Sequence, residues 1–323
     1  MSPPSSRIKT RFLILSDTHG DALPPHLQPN TPVDVAIHCG DLTEGSTLDE
    51  YRATLKLLKS IPATLKIVIG GNHDFTLDTP AFMKIIGDAH SSISPDLIKA
   101  NFGDFGEARA MLQQDPDITY LDEGVHQFVL SNGALLRVYA SPYTPSNSNW
   151  GFIYHPDQDH GWNIPAVDVA ITHGPPHGIL DHTDSKTRAG CPQLFGAIAH
   201  AKPQIHCFGH IHEGWGARLI TWRKEIPENP THFTAIDNEN SVAIASLESL
   251  NPARFDTPEI VKGKKALTDA LTSQKVFITS HCTEDVVPLR AGEQTLFVNA
   301  SIQGPREEPF QFPWVVDIEL ERA

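Results

Sequence analysis

Aspartate, histidine and asparagine can hold divalent transition metals through oxygen and nitrogen, and in this chain they recur at the ends of short apolar runs. "FLILSDTHG" delivers Asp17 and His19, "VAIHCGD" Asp41, "IVIGGNHD" Asn72 followed by His73 and Asp74, "VAITHGPP" His173, and "IHCFGHIH" His210 and His212. Any one of these residues has an ordinary structural use as a helix cap, an Asx-turn or an exposed imidazole. Their joint recurrence beside glycine and other turn residues does not. The set lacks cysteine, which separates it from structural thiolate zinc sites and suits manganese, iron, zinc or nickel. Four imidazoles, two carboxylates and one amide are too many for one tetrahedral ion. They suit two divalent ions that share a bridging carboxylate.

The positioning elements follow from the runs themselves. "RFLILSD", "VDVAIHCGD", "LKIVIGGNHD", "ALLRVYASP", "VDVAITHGPP" and "PQIHCFGHIH" are filled almost continuously by Val, Ile, Leu and Ala, which predicts strands covered on both faces. Between them, "STLDEYRATLKLLKS" sets Leu48, Tyr51, Leu55 and Leu58 at helical spacing, with Thr47 or Ser46 as the cap. The alternation predicts an α/β core. In such sheets ligands bind outside the carboxyl ends of the strands, so the ligand-bearing loops should converge on one site. Residues 1–10 read as a flexible tail and 11–323 as one domain, with an insertion at about 222–290; a separate small domain is the weaker alternative. Within that stretch "PENPTHF", "DNENS" and "NPARFDTPE" read as loops and "KGKKALTDALTSQK" as a short exposed helix, before "QTLFVNAS" and "PWVVDIEL" supply two closing strands.

Composition narrows the partners. At 323 residues, 40% hydrophobic and 20% charged, the chain has the material for a large soluble core. Its 25 basic and 39 acidic residues give a net charge of -14, which disfavours long nucleic acids and anionic membranes. A small anionic substrate stays compatible, since charges more than about 8 Å away are largely screened at physiological salt. "MSPPSSRIKTR" interrupts the apolar core that a signal peptide needs, and no run approaches the about 18 apolar residues of a membrane span. Cys39, Cys191, Cys207 and Cys282 form no CxxC pair, so the expectation is reduced thiols in a cytoplasmic protein. Oligomeric state leaves no mark in the sequence.

"SDTH", "CGD", "GGNHD", "THGPP" and "FGHIH", in this order, resemble the calcineurin-like metallophosphoesterases, whose pattern is DxH, GD, GNH(D/E), (T/S)HGP and GHxH. "VYASPYTPSNSNWGF", "THGPPHGILDH", "CFGHIHEGWGA" and "FVNAS" are further similar to the branch of vertebrate brain metallophosphoesterase-domain proteins, over roughly residues 11 to 221 and 292 to 320. The resemblance implies a four-layer α/β/β/α sandwich of two mixed sheets and two divalent ions, manganese or iron first, zinc or nickel next. It would place Asp17, His19 and His212 on the first ion, Asn72, His173 and His210 on the second, and Asp41 between them. Water bridging the ions would attack phosphorus in line as hydroxide. His73 would serve as general acid, with Asp74 orienting it or raising its pKa through charge. Small diesters of the cyclic-nucleotide kind are the implied substrates.

The surrounding residues are less specific. "NSNWGFIYHPDQDHGW" gathers Trp150, Phe152, Tyr154 and Trp162, which suit either core anchoring or stacking on a flat substrate group. Asn149 and Trp150 are the candidate substrate contacts. His155, His160, His177 and His182 read as solvent-facing or as supports behind the ligands, and His206 as packed inside its strand. Arg52, Arg137 and Arg188 are scattered, giving no arginine pair to grip a phosphorylated protein. A dinuclear phosphodiesterase is the first reading. The same ligands could serve oxygen-dependent chemistry on a specialised metabolite, or stabilise an interaction module that binds through 222–290.

Overall fold

The computed structural model describes residues 7–89, 93–304 and 310–323. Its strands begin, in chain order, with β1 (Arg7–Leu15), β2 (Val33–His38), β3 (Ala63–Val68), β4 (Thr119–Tyr120), β5 (Gly124–Val129), β6 (Leu135–Ser141), β7 (Thr144–Pro145) and β8 (Ile153–Tyr154). They continue with β9 (Val169–Thr172), β10 (Ile205–Phe208), β11 (Gly216–Trp222), β12 (Ile236–Ser246), β13 (Phe277–Ser280), β14 (Gln294–Asn299) and β15 (Trp314–Glu321). The helices are α1 (Leu48–Ser60), α2 (Thr79–Ala89), α3 (Pro95–Phe102), α4 (Glu107–Gln114), α5 (Pro192–Ala201), α6 (His232–Ala235), α7 (Leu247–Leu250) and α8 (Pro258–Gln274).

Two mixed sheets result. The six-stranded sheet runs β13-β15-β1-β2-β3-β4, parallel at every pairing except β1 with β15. The seven-stranded sheet runs β12-β11-β14-β10-β9-β6-β5, with a parallel centre from β14 to β6 and antiparallel flanks. β9, β10 and β14 are buried at every residue, as strands covered on both faces are.

Between the sheets, Phe12, Ile14, Val35 and Ile37 of the first meet Val138, Ile171, Ile205, Leu219 and Val298 of the second. On the outer face of the six-stranded sheet, Tyr51, Leu55 and Leu58 of α1 and Leu112 of α4 pack on Leu13, Leu15 and Val68. On the opposite outer face, Leu194, Phe195 and Ile198 of α5 pack on Ala170, Phe208 and Phe297. The order is α/β/β/α, as expected. Thr47 rather than Ser46 caps α1, in a capping box where its hydroxyl accepts from Glu50 N and the Glu50 carboxylate accepts from Thr47 N at 2.8 Å. The four cysteines are free and buried. Among the described residues no helix is long and apolar enough to cross a membrane.

Three expectations need correction. Residues 7–10 are not tail: β1 starts at Arg7 and pairs with β15 from Arg7↔Glu321 onward. Here polar residues alternate with Ile8 and Phe12, so the strand lacks the continuous apolar run that marks its second half. Residues 1–6 lie outside the described residues. The 222–290 stretch is not a peripheral insertion, because β12 and β13 within it form an edge of each sheet. Its helix is also longer than expected, at 17 residues, with Leu271 on its buried side. The two closing strands form as expected, as β14 and β15, and both lie inside their sheets.

The start of β1 is held by charge as well as by pairing. Buried Asp317 binds Lys9 at 2.9 Å and receives two bonds from Arg11, at 2.7 and 2.8 Å. Burial alone would raise the Asp317 pKa, but the Arg11 and Lys9 hydrogen bonds hold it below its ordinary value. Arg11→Ala should cost about 3 kcal/mol, because it strips a buried carboxylate of its forked partner. A lowered urea midpoint at unchanged m would report it; an unmoved midpoint would show that Lys9 suffices.

Candidate metal centre

The strands β1, β2 and β3 of one sheet and β9 and β10 of the other all deliver their following loops to the same seam. Backbone bonds lock these loops together: Asp17 N donates to the Gly40 carbonyl at 3.0 Å, His19 N to that of Asp41 at 3.2 Å, and Gly209 N to that of His173 at 3.0 Å. Asp17 (φ 54°), His19 (φ 48°), Asp41 (φ 51°) and His210 (φ 69°) all adopt the left-handed backbone conformation. For residues other than glycine this costs about 1 kcal/mol or more each and persists where the surroundings over-determine it. The glycines beside them are equally constrained. A Cβ on Gly209 would collide with Ser16 and the Asp17 carboxylate, and one on Gly40 (φ 100°) would sit 2.6 Å from His173 Nδ1.

The side chains fall into overlapping groups. Asp17, His19 and His212 form one and Asp41, His173 and His210 another, each with its donor atoms within 4.8 Å of one another. A third group joins Asp41 to His19 and His73, so Asp41 stands between the first two. In the first group, His212 Nε2 lies 3.5 Å from Asp17 Oδ1 and 3.4 Å from His19 Nε2. In the second, His173 Nε2 lies 3.2 Å from Asp41 Oδ2 and 2.9 Å from Asn72 Oδ1. Backbone amides orient both carboxylates, His210 N donating to Asp17 Oδ1 at 3.0 Å and His73 N to Asp41 Oδ1 at 2.8 Å. All seven expected ligands are therefore brought together. His19, Asp41, Asn72, His210 and His212 line an open cleft of 390 Å³.

The donor chemistry fits two cations. Asp17 and Asp41 are buried, and burial alone would raise their pKa values. The hydrogen bond and charge of His212 hold Asp17 well below the carboxylate range instead, and His173 does the same for Asp41. His173 Nδ1 donates to the Cys39 carbonyl at 2.9 Å, which leaves its Nε2 facing the two oxygens of Asp41 and Asn72. An uncharged nitrogen cannot satisfy that position. Burial lowers the pKa of His173, but the Asp41 carboxylate outweighs it and raises the pKa to about 9; a proton then fills the place a metal would take. His210, pushed down to about 4 by burial, is a neutral nitrogen donor.

Other candidates fare differently. The Asp74 carboxylate does not orient His73, contrary to expectation. It accepts from Leu42 N and Thr43 N at 3.0 Å, Thr43 Oγ1 at 2.7 Å and Gly71 N at 2.8 Å, so it clasps the Asp41 loop to the Asn72 loop. Burial, followed by the Asp41 charge, pushes its pKa up to about 7. Asn149 does not line the cleft either: its Oδ1 accepts from Lys84 Nζ at 3.0 Å. Trp150 packs on His73, with ring centroids 4.4 Å apart. His155 lies near Asp157, His160 bonds Glu123 at 2.7 Å, and His177 lies 3.7 Å from Asp181; His182 lines a separate pocket. His206 is packed, with Nε2 2.9 Å from Thr172 Oγ1. Arg188 is bound to Asp181 at 2.6 Å.

Sequence reasoning missed Glu44 and Gln303, which line the cleft. The Glu44 carbonyl accepts from His73 Nδ1 at 2.7 Å, and its carboxylate lies 2.8 Å from His19 Nδ1. Its position three residues after Asp41 was the available signal. Gln303 comes from the loop after β14, where its N donates to the Asp17 carbonyl at 3.2 Å, and nothing local marks it.

Metal uptake should displace the His173 proton. At pH 7 loading is expected to release about one proton from this residue. Apparent affinity should rise with pH and level off above about 9, where His173 is already neutral. Calorimetry in buffers of different ionisation enthalpy measures this, and loading without proton release would exclude His173 Nε2 as a ligand.

The family model for calcineurin-like phosphoesterases matches residues 10–214, a span that takes in every candidate ligand from Asp17 to His212. Metallophosphoesterase domain-containing protein 1 of Homo sapiens is 35% identical over 218 residues, covering 64% of this chain and 62% of that protein. UPF0046 protein T07D4.2 of Caenorhabditis elegans is 32% identical over 224 residues, covering 67% of this chain and 54% of that protein. The chain thus spans less than two thirds of the length of these relatives. Purple acid phosphatase PPD1 from yellow lupin (Lupinus luteus) seeds aligns with a TM-score of 0.35 at 11% identity, over 69% of this chain and 41% of that one. With the five strand ends that carry the candidate ligands inside the matched span, the chain belongs to the calcineurin-like phosphoesterase family.

Proposed function

We propose that this protein is a dinuclear-metal phosphodiesterase acting on a small diester of the cyclic-nucleotide kind. The observation that carries the reading is the pair of oxygen and nitrogen donor groups, joined through Asp41, at the floor of an open cleft that His73 also lines. On this reading Asp17, His19 and His212 hold one divalent ion, Asn72, His173 and His210 the other, and Asp41 both. Two such ions supply activation of water and neutralisation of phosphate charge.

The chain's own groups do the rest. Because a carbonyl can only accept, the bond from His73 Nδ1 to Glu44 puts a proton on Nδ1 and turns Nε2 away from it. Protonated at Nε2 as well, the ring can donate to the departing alkoxide. Beyond the two cations, the lining includes Glu44 and Glu213 and, among the described residues, no lysine or arginine, so a second phosphate charge finds no further cation. A monoester dianion meets these carboxylates with twice the charge of a diester.

The test compares bis(4-nitrophenyl) phosphate with 4-nitrophenyl phosphate, using manganese-loaded protein. The diester is expected to turn over faster. His73→Ala should keep its metal and lose about 10²–10⁴ in kcat on a diester with a poor alkyl leaving group, with a smaller loss on the aryl diester, whereas Asp41→Asn should lose metal and turnover together. Faster monoester hydrolysis, or metal-free His73→Ala protein by elemental analysis, would sink the assignment.

A further inference from the structure

We infer that Trp150 is a positioning residue for His73, fixing the ring so that Nε2 faces the cleft; the inference rests on the phosphodiesterase reading for its catalytic meaning. His73 is gripped at three places. Its Nδ1 donates to the Glu44 carbonyl at 2.7 Å, its ring meets that of His19 edge-on at 4.8 Å and 88°, and the Trp150 indole covers it at 4.4 Å with a 31° tilt.

The indole is itself held by the segment that carries His73. Gly151 N donates to the Asn72 carbonyl at 2.9 Å, and Phe152 N to Asp78 Oδ2 at 2.9 Å. A Cβ on Gly151 would lie 2.7 Å from Phe75 Cα, so the backbone beside Trp150 is pressed against this segment. Phe75 also meets the indole, at 6.2 Å and 55°, and in turn makes tilted ring contacts with Phe82 and Phe102. Trp150 therefore moves with His73.

Two other uses of the indole fit less well. A core anchor would be buried, yet Trp150 is 36% exposed. A platform for a flat substrate group would turn its face into the cleft, but the described lining of the cleft includes His73 and not Trp150. With the indole gone, one wall of the His73 ring opens to water, and rotation about Cβ–Cγ can break the Glu44 bond and turn Nε2 out of line. Misplacing a proton donor slows only those reactions that need its proton.

That selectivity supplies the test. Metal-loaded wild type, Trp150→Ala, Trp150→Phe and His73→Ala are compared on a diester with a 4-nitrophenolate leaving group and on one with an alkyl alcoholate leaving group. Trp150→Ala should lose about tenfold in kcat on the alkyl diester and less than about twofold on the aryl diester, at unchanged KM and metal content. Trp150→Phe, which keeps a ring face, should recover most of the loss, and His73→Ala should show the same leaving-group pattern at greater depth. A raised KM with kcat intact would make Trp150 a substrate platform and overturn the inference. Equal loss on both diesters with metal loss would reduce it to a fold contact and overturn it as well.

A second readout does not depend on turnover. In ¹⁵N-correlated spectra of zinc-loaded protein, His73 should hold a single Nδ1–H tautomer in wild type and Trp150→Phe, and mixed tautomers in Trp150→Ala. An unchanged tautomer in Trp150→Ala overturns the positioning role whatever the enzyme hydrolyses. A lost tautomer in a protein without diesterase activity keeps the positioning role and fails only the phosphodiesterase reading.

Discussion

Two carboxylates, Asp17 and Asp41, are buried within electrostatic reach of each other, with the imidazoles of His212 and His173 as their ion partners. Burying like charges in a low-dielectric seam is strongly unfavourable unless positive charge is supplied. The rest of the site follows from that demand. The loops bend into left-handed backbone to aim the oxygens, glycines remove the side chains that would block the approach, and amides of His73 and His210 donate to the same oxygens. The carboxylates stay ionised because the hydrogen bonds and charges of His212 and His173 hold their pKa values down.

The sequence exposes most of this because the fold puts the chemistry where local patterns change. An unbroken apolar run followed by Asp, Asn or His beside glycine is visible without any tertiary information. It is sufficient to pick out the candidate ligands that the fold gathers from all five strand ends, the α/β class and the helix capped by Thr47. The resemblance to the phosphoesterase family adds the layer order. What stays hidden depends on direction rather than on residue type. Asp74 and Asn149 are of the right kind and in the right neighbourhood, yet their side chains turn toward Leu42, Thr43 and Gly71 in one case and Lys84 in the other. Glu44 and Gln303 enter the cleft from loops whose composition says only that they are polar.

Strand assignment fails for a related reason. Arg7–Thr10 and β13 lack the continuous apolar signature because each has a face toward solvent or toward charge, and β13 is only four residues long. The stretch that looked like an addition to the domain is needed at both sheet edges. Sheet pairing is a long-range choice: β13 lies beside β15 and β12 beside β11, and neither partnership is written in the segment itself.

Each donor group takes its members from both sheets. Asp17 and His19 follow β1, while His212 follows β10; Asp41 and Asn72 follow β2 and β3, while His173 and His210 follow β9 and β10. The span across each group is therefore set by how far apart the sheets stand, and that distance is set by the hydrocarbon between them, from Phe12 and Ile37 to Val298 and the stacked Trp215 and Trp314. The greasy interior works as a gauge block for the polar site. A methylene added or removed between the sheets, with no contact to any ligand, would be felt at the metal centre as a change in bite.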